Sequence, residues 1–130
     1  MPQAERHFAG PIVSAAVQVA EAVNAGVLFA YVQGVSDFPG LVAAIKPPTK
    51  VILVCRDAKD EQRAKGIAAE VMNVPAFDLT RMGQIKITTL LAFSQGLLKA
   101  GDVFVFLSGV AGREIDTLVT MRVGEEYELF

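Results

Sequence analysis

Three short runs that are apolar throughout, spaced by helix signals, predict an α/β domain built on a mostly parallel sheet. The runs are Val27–Val32, Val51–Cys55 and Val103–Leu107. They are rich in β-branched and aromatic residues and lack polar/apolar alternation, which marks strands covered on both faces, as in parallel sheets. The links between the first four strands reach the dozen or so residues that a parallel crossover needs. The link from Leu107 to Ile115 is too short for that, so the final strand returns antiparallel beside its predecessor. With right-handed crossovers these features predict a three-layer α/β/α sandwich whose mixed five-stranded sheet has the order 3-2-1-4-5, strand 5 antiparallel.

Gly10-Pro11 opens the first helix, proline standing where a missing N–H costs little. Ile12, Val13, Ala16, Val17, Ala20 and Val23 share one face, with Ser14, Gln18 and Glu21 opposite, and Asn24-Ala25-Gly26 ends the helix. The first strand follows, then a shorter helix over Pro39–Lys46 and the second strand. Asp57 is placed to cap a third helix whose inner face is Ala64, Ile67, Ala68 and Val71. A weaker third strand is expected at Val74–Leu79, with Pro75 arguing for an edge. The longest helix is predicted over Arg81–Lys99, with a narrow polar stripe of Arg81, Gln84, Thr88, Gln95 and Lys99. Apolar residues cover the rest of that helix, more than one sheet face can use, so a homo-oligomer contact through 81–99 is expected. The mixed pattern of Ile115–Val123 suits a last strand at an edge.

A length of 130 residues with no repeat or linker fits a single domain, 1–130. Hydrophobic residues are 52% and charged residues 20%, which excludes a disordered chain. A net charge of −2 with scattered lysines and arginines gives no footprint for nucleic acid or an anionic membrane. No apolar stretch approaches a membrane span, the first ten residues are no secretory signal, and the lone Cys55 fits a reducing compartment; a soluble, cytoplasmic protein is expected. The mean hydropathy of +0.42 is high for so small a domain and again points to apolar surface that meets a partner.

No catalytic motif is present: the phosphate-binding loop, the dinucleotide glycine fingerprint and the zinc-protease helix are all missing. One cysteine and one histidine cannot build a zinc site, and no cofactor is implied. In such a sheet the ligand crevice lies at the carboxyl ends of the strands where the winding reverses, here strands 1 and 4. Its walls would be Gln33-Gly34-Val35-Ser36 and Ser108-Gly109-Val110-Ala111-Gly112-Arg113. Glycines allow close approach of backbone, Ser108 offers a hydroxyl, and Arg113 a forked cation, so an anion contact is one reading and a plain turn between strands is the other. Thr80 and Arg81, at the head of the long helix, could likewise receive an anion, or Asp78 or Thr80 could simply cap the helix with Arg81 solvated. The candidate ligand residues are therefore Gly34, Ser36, Ser108, Gly109, Gly112, Arg113, Thr80 and Arg81. His7 reads as solvated, and Cys55 as a packed, inert thiol. An enzymatic reading would need an acid or base at the crevice, for which Asp37, Glu114 and Asp116 are the available groups.

Lys99-Ala100-Gly101-Asp102-Val103-Phe104-Val105-Phe106-Leu107-Ser108-Gly109, followed by Asp116-Thr117-Leu118-Val119-Thr120-Met121-Arg122-Val123, resembles the C-terminal domain of pyruvate kinase. Leu79-Thr80-Arg81-Met82-Gly83-Gln84-Ile85-Lys86 and the ending Leu118–Phe130 resemble more closely the pyruvate-kinase-C-terminal-like module at the N-terminus of archaeal-type diadenylate cyclases. The resemblance implies a non-catalytic accessory domain that continues into a cyclase domain, senses a small phosphorylated metabolite or nucleotide, mediates assembly, or both. The cyclase's own Asp-Gly-Ala and Arg-His-Arg motifs are missing, so the chain alone is expected not to make cyclic di-AMP. The rival expectation is a stand-alone small enzyme or binding protein acting on a nucleotide or phospho-sugar.

Overall fold

A computed structural model of the chain describes residues 9–67, 69–74, 80–109 and 113–124. In chain order the elements are α1 (Ala9–Ala22), β1 (Val27–Tyr31), a single 3₁₀ turn (Val32–Gly34), α2 (Phe38–Ala44), β2 (Lys50–Cys55), α3 (Ala58–Ala64), β3 (Glu70–Asn73), α4 (Arg81–Ser94), β4 (Val103–Ser108) and β5 (Thr117–Arg122). The strands form one sheet in the predicted order, β3-β2-β1-β4-β5. The first four run parallel and β5 pairs antiparallel with β4. Phe29 at the middle of β1 stands opposite Ile52 on β2 and Phe106 on β4.

Strand alternation divides the core in two. Leu28, Ala30, Leu53, Cys55, Val105 and Leu107 meet Ala16 and Ala20 of α1, Phe38 and Leu41 of α2, and Ala64 of α3. Small residues at Ala16 and Ala20 let α1 approach the sheet closely. On the opposite face Phe29, Phe104 and Phe106 form an aromatic cluster, with Phe29 at 5.9 Å and 5.5 Å from the other two rings. Only α4 covers this second face among the described helices, through Ile85 and Ala92. All five β1 residues are buried, as their unbroken apolar run predicted.

Helix starts follow their caps. Asp37 accepts from the Gly40 N–H at 3.0 Å, Asp57 from the Asp60 N–H at 3.0 Å, and Thr80 from the Gly83 N–H at 3.0 Å, each satisfying an amide that the helix itself cannot.

Three expectations are corrected. The third helix stops at Ala64 instead of reaching Val71: Lys65 is already extended, and Gly66 at φ +83° turns the chain away from the helix axis. The third strand therefore comes earlier, at Glu70–Asn73; it is an edge as expected, and Val71 is 41% exposed upon it instead of buried under a helix. Within the expected Val74–Leu79, Val74 lies past the strand and residues 75–79 lie outside the described residues.

The long helix ends at Ser94, not Lys99. Gly96 at φ +78° closes it, its N–H donating to the Phe93 carbonyl and that of Leu97 to the Ala92 carbonyl. That pair of bonds is the Schellman arrangement, which a glycine in the left-handed region permits. The polar stripe is divided: Arg81, Gln95 and Lys99 are exposed, but its two middle members turn inward. Gln84 and Thr88 are buried, whereas Met82, Leu90 and Phe93 are between 43% and 48% exposed. Gln84 and Thr88 point inward because the Gly109 carbonyl and the Tyr31 hydroxyl await them there.

Candidate functional site

The carboxyl ends of β1 and β4 lie side by side, and the two loops expected to wall a crevice there do meet. The Ile115 N–H donates to the Gly34 carbonyl at 3.0 Å. The side chain of Ile115, 1% exposed, fills the space between the loops. A Cβ at Gly34 would lie 2.7 Å from Ile115 Cγ2, and one at Gly109 would lie 2.8 Å from the Glu114 carbonyl oxygen. Both glycines are thus required by close approach of the 114–115 segment, the crevice being closed by a hydrophobic plug. Ile115 was read from the sequence only as the start of a strand; an isoleucine between Glu114 and Asp116 was the available signal that this segment turns one residue inward.

The head of α4 is tied to the same segment. Gln84 Nε2 donates to the Gly109 carbonyl at 2.6 Å in a buried contact, and Ser108 Oγ lies 3.5 Å from the Arg81 carbonyl. Arg81 forks onto Asp116 through Nε at 2.9 Å and Nη2 at 2.5 Å, and Thr117 Oγ1 donates to the same carboxylate at 2.9 Å. The hydrogen bonds from Arg81 hold the Asp116 carboxyl below the usual carboxylate range, and Asp116 in turn raises Arg81.

Of the predicted ligand residues, Gly34, Ser108 and Gly109 come together around Ile115, and Arg81 joins them through Asp116. Thr80 caps α4. Ser36 is exposed and opens instead on a neighbouring cleft of about 310 Å³ shared with Val13, Asp37 and Leu41. Arg113 is exposed at the rim, and Gly112 lies outside the described residues, as does His7. Asp37 is occupied as a helix cap and Asp116 as an ion-pair partner. Among the described residues no group of three or more His, Cys, Asp or Glu is placed to hold a metal ion.

A second polar cluster, which sequence reasoning missed, lies at the carboxyl ends of β1 and β2. The Tyr31 hydroxyl and Thr88 Oγ1 of α4 are 3.2 Å apart, and the Arg56 guanidinium carbon sits 5.2 Å from the centre of the Tyr31 ring. Burial pushes the Tyr31 hydroxyl above its ordinary pKa, opposed by its bond to Thr88 and by the charge of Arg56. Cys55, fully buried at the end of β2, is pushed up to about 11, by burial first and then by Asp60, Glu61 and Asp57. No helix among the described residues is long and apolar enough to cross a membrane.

These features define an α/β domain of the pyruvate kinase C-terminal type. Two crystal structures of pyruvate kinase from Cryptosporidium parvum share the fold, each at TM-score 0.66, with 19% and 18% identity over 94% and 91% of this chain. The chain spans only 24% and 23% of the length of those enzymes. No curated protein matches it at a significant level. Residues 10–130 match the family described as the probable sensor domain DacZ_P, and the chain belongs to that family. It is the domain associated with diadenylate cyclase, in agreement with the resemblance carried by Leu79–Lys86 and Leu118–Phe130.

Proposed function

We propose that the chain is a non-catalytic regulatory domain that senses a small anionic ligand, a phosphorylated metabolite or nucleotide, on behalf of an attached diadenylate cyclase. The match of residues 10–130 to a sensor family carries this reading. The ties between the β4–β5 connection and the head of α4 support it, because a ligand that alters one must alter the other. Assembly with further copies through α4 belongs to the same proposal. Its support is the outward Met82, Leu90 and Phe93, each more than two-fifths exposed.

The test is cyclic di-AMP synthesis by the full natural chain, measured with and without residues 10–130 and across a panel of phosphorylated metabolites and nucleotides. A rate that depends on the domain and on one class of ligand is expected. A rate indifferent to both would remove the regulatory role. Sedimentation of the same chain with Leu90→Lys tests the assembly part, where an unchanged oligomer would exclude α4 as its contact.

A further inference from the structure

We propose that the cleft between the end of α1 and the loop 46–49 binds a small zwitterion, a free apolar α-amino acid, with its ammonium at Glu21 and its carboxylate at Lys46. The cleft lies at the amino ends of β1 and β2, on the opposite rim of the sheet from the plugged crevice. The inference stands independently of the regulatory reading above.

The cleft has a volume of about 210 Å³. Clefts that take drug-sized ligands run to roughly 300–1,000 Å³, so this one suits a single smaller molecule. Its floor is apolar and the less exposed part of the lining: Val17, Ala20 and Ile45. Glu21, Asn24 and Lys46 also line it and are exposed, so solutes reach it from water. Glu21 and Lys46 bring opposite charges to one cavity, yet they form no ion pair with each other. Among the described residues no hydrogen bond or ion pair engages the side chain of either, nor that of Asn24. In contact the two charges would neutralise each other; held apart, they are bridged by a molecule that carries both signs.

Which end takes which charge follows from the helices. α1 ends at Ala22 with no basic residue in its last turn, so the negative end of its dipole adds to the Glu21 carboxylate. That end takes the ammonium, with the Asn24 side-chain carbonyl as a further acceptor. Lys46 stands on the other wall, two residues past the end of α2, and takes the carboxylate in a charge-assisted bond. Between them the side chain of the ligand lies over Val17, Ala20 and Ile45, which favours an apolar one.

The walls are set before any ligand arrives. Thr49 Oγ1 donates to the Ala25 carbonyl at 2.6 Å, and the Lys50 N–H donates to the Gly26 carbonyl at 3.0 Å. Both bonds tie the loop to the residues that follow α1. Within the loop the Thr49 N–H donates to the Lys46 carbonyl at 3.2 Å, and Pro47 and Pro48 each have φ fixed by their rings. Walls already ordered spare a ligand the cost of ordering them.

The experiment follows the backbone amides of the isotopically labelled chain by nuclear magnetic resonance during titration with L-valine. Two analogues each lose one charge: N-acetylvaline lacks the ammonium and valinamide the carboxylate. Saturable shifts at Ala20, Asn24, Ile45 and Thr49 are expected with valine, and each analogue should bind about tenfold more weakly. Glu21→Gln should abolish the preference for valine over N-acetylvaline, and Lys46→Gln that for valine over valinamide. Both residues are exposed, so the spectrum away from the cleft should stay that of the parent chain. Valine that moves none of these amides overturns the site. An analogue that binds as well as valine, or an affinity for valine unchanged in both variants, overturns the zwitterion assignment.

Discussion

Ile115→Ala separates a plug that holds the domain together from one that merely occupies space. Ile115 is 1% exposed, its backbone N–H is bonded to Gly34, and its Cγ2 would lie 2.7 Å from a Cβ at Gly34. Truncation removes three carbons, about 2.4 kcal/mol at ~0.8 kcal/mol per buried methylene. A cavity term is added to the extent that the walls fail to collapse. The walls here are the backbone of Gly34 and Gly109, the first locked by its carbonyl bond to Ile115 and the second by its carbonyl bond to Gln84, so collapse is restricted. The expected loss is about 2–4 kcal/mol, at roughly 4 °C of melting temperature per kcal/mol for a domain of this size. Urea denaturation with an unchanged slope, backed by calorimetry, measures it. A loss below about 1 kcal/mol would mean that the segment collapses freely onto the glycines, and the close-approach account of Gly34 and Gly109 would be wrong.

Gln84→Leu leaves the buried Gly109 carbonyl without its donor and should cost about 1–3 kcal/mol in urea denaturation, whereas no change would show that the carbonyl finds another partner. Asp116 has its pKa lowered in the folded state, so its contribution is present above the unfolded value near ~3.9 and is lost as pH falls through the folded value. Unfolding midpoints of the parent chain and Asp116→Asn should therefore differ at neutral pH and converge below about pH 4, by a small amount because the pair is solvent-exposed; a constant difference across pH would refute the link to ionisation. The Cys55 thiol, buried and raised to about 11, should react with an aromatic disulfide reagent at pH 8 only as fast as the domain opens, and prompt reaction in the native state would contradict its burial.

The order of the sheet was legible because its causes are local. Unbroken apolar runs at Val27, Val51 and Val103 report burial on both faces, and a short link before Ile115 permits only a reversed strand. The caps at Asp57 and Thr80 were equally local, each needing just a side-chain oxygen and an amide three residues on, whereas Asp37, read as an acid at the crevice, caps α2 in the same way. Helix lengths were less legible. Gly66 and Gly96 lie inside apolar periodicity that continues past them, and their positive φ, with an extended Lys65 before the first, closes off α3 and α4. The face of α4 was misread for a different reason. Periodicity ranks residues by hydrophobicity, but Gln84 and Thr88 are drawn inward by a carbonyl on β4's far end and a hydroxyl on β1, partners distant in sequence. Around the candidate site, glycines at 34 and 109 were read as room for a ligand, while they serve the chain's own Ile115. The Arg56 cluster left no trace in the sequence, since its members are 31, 56 and 88 and share no motif.

The two faces of the sheet are held by different physics, and this bears on how a signal could leave the domain. On one face α1, α2 and α3 rest on Leu28, Leu53, Val105 and Leu107 through apolar contact, which is nondirectional and tolerates small slips. On the other face α4 is also located by directed bonds: Gln84 to Gly109, Arg81 to Asp116, Thr88 to Tyr31. A hydrogen bond weakens steeply when its geometry is disturbed, so these three contacts fix the position of α4 along the sheet more sharply than burial of Ile85 and Ala92 could alone. The first two join α4 to the segment carrying Ile115, and the third to the tyrosine under Arg56. Both polar regions thus bear on one helix, and on its outer side that helix carries Met82, Leu90 and Phe93. A shift of α4 by even a fraction of a hydrogen-bond length would re-aim that apolar stripe, so under the proposed regulatory reading α4 is the element through which a change at either region would be read from outside.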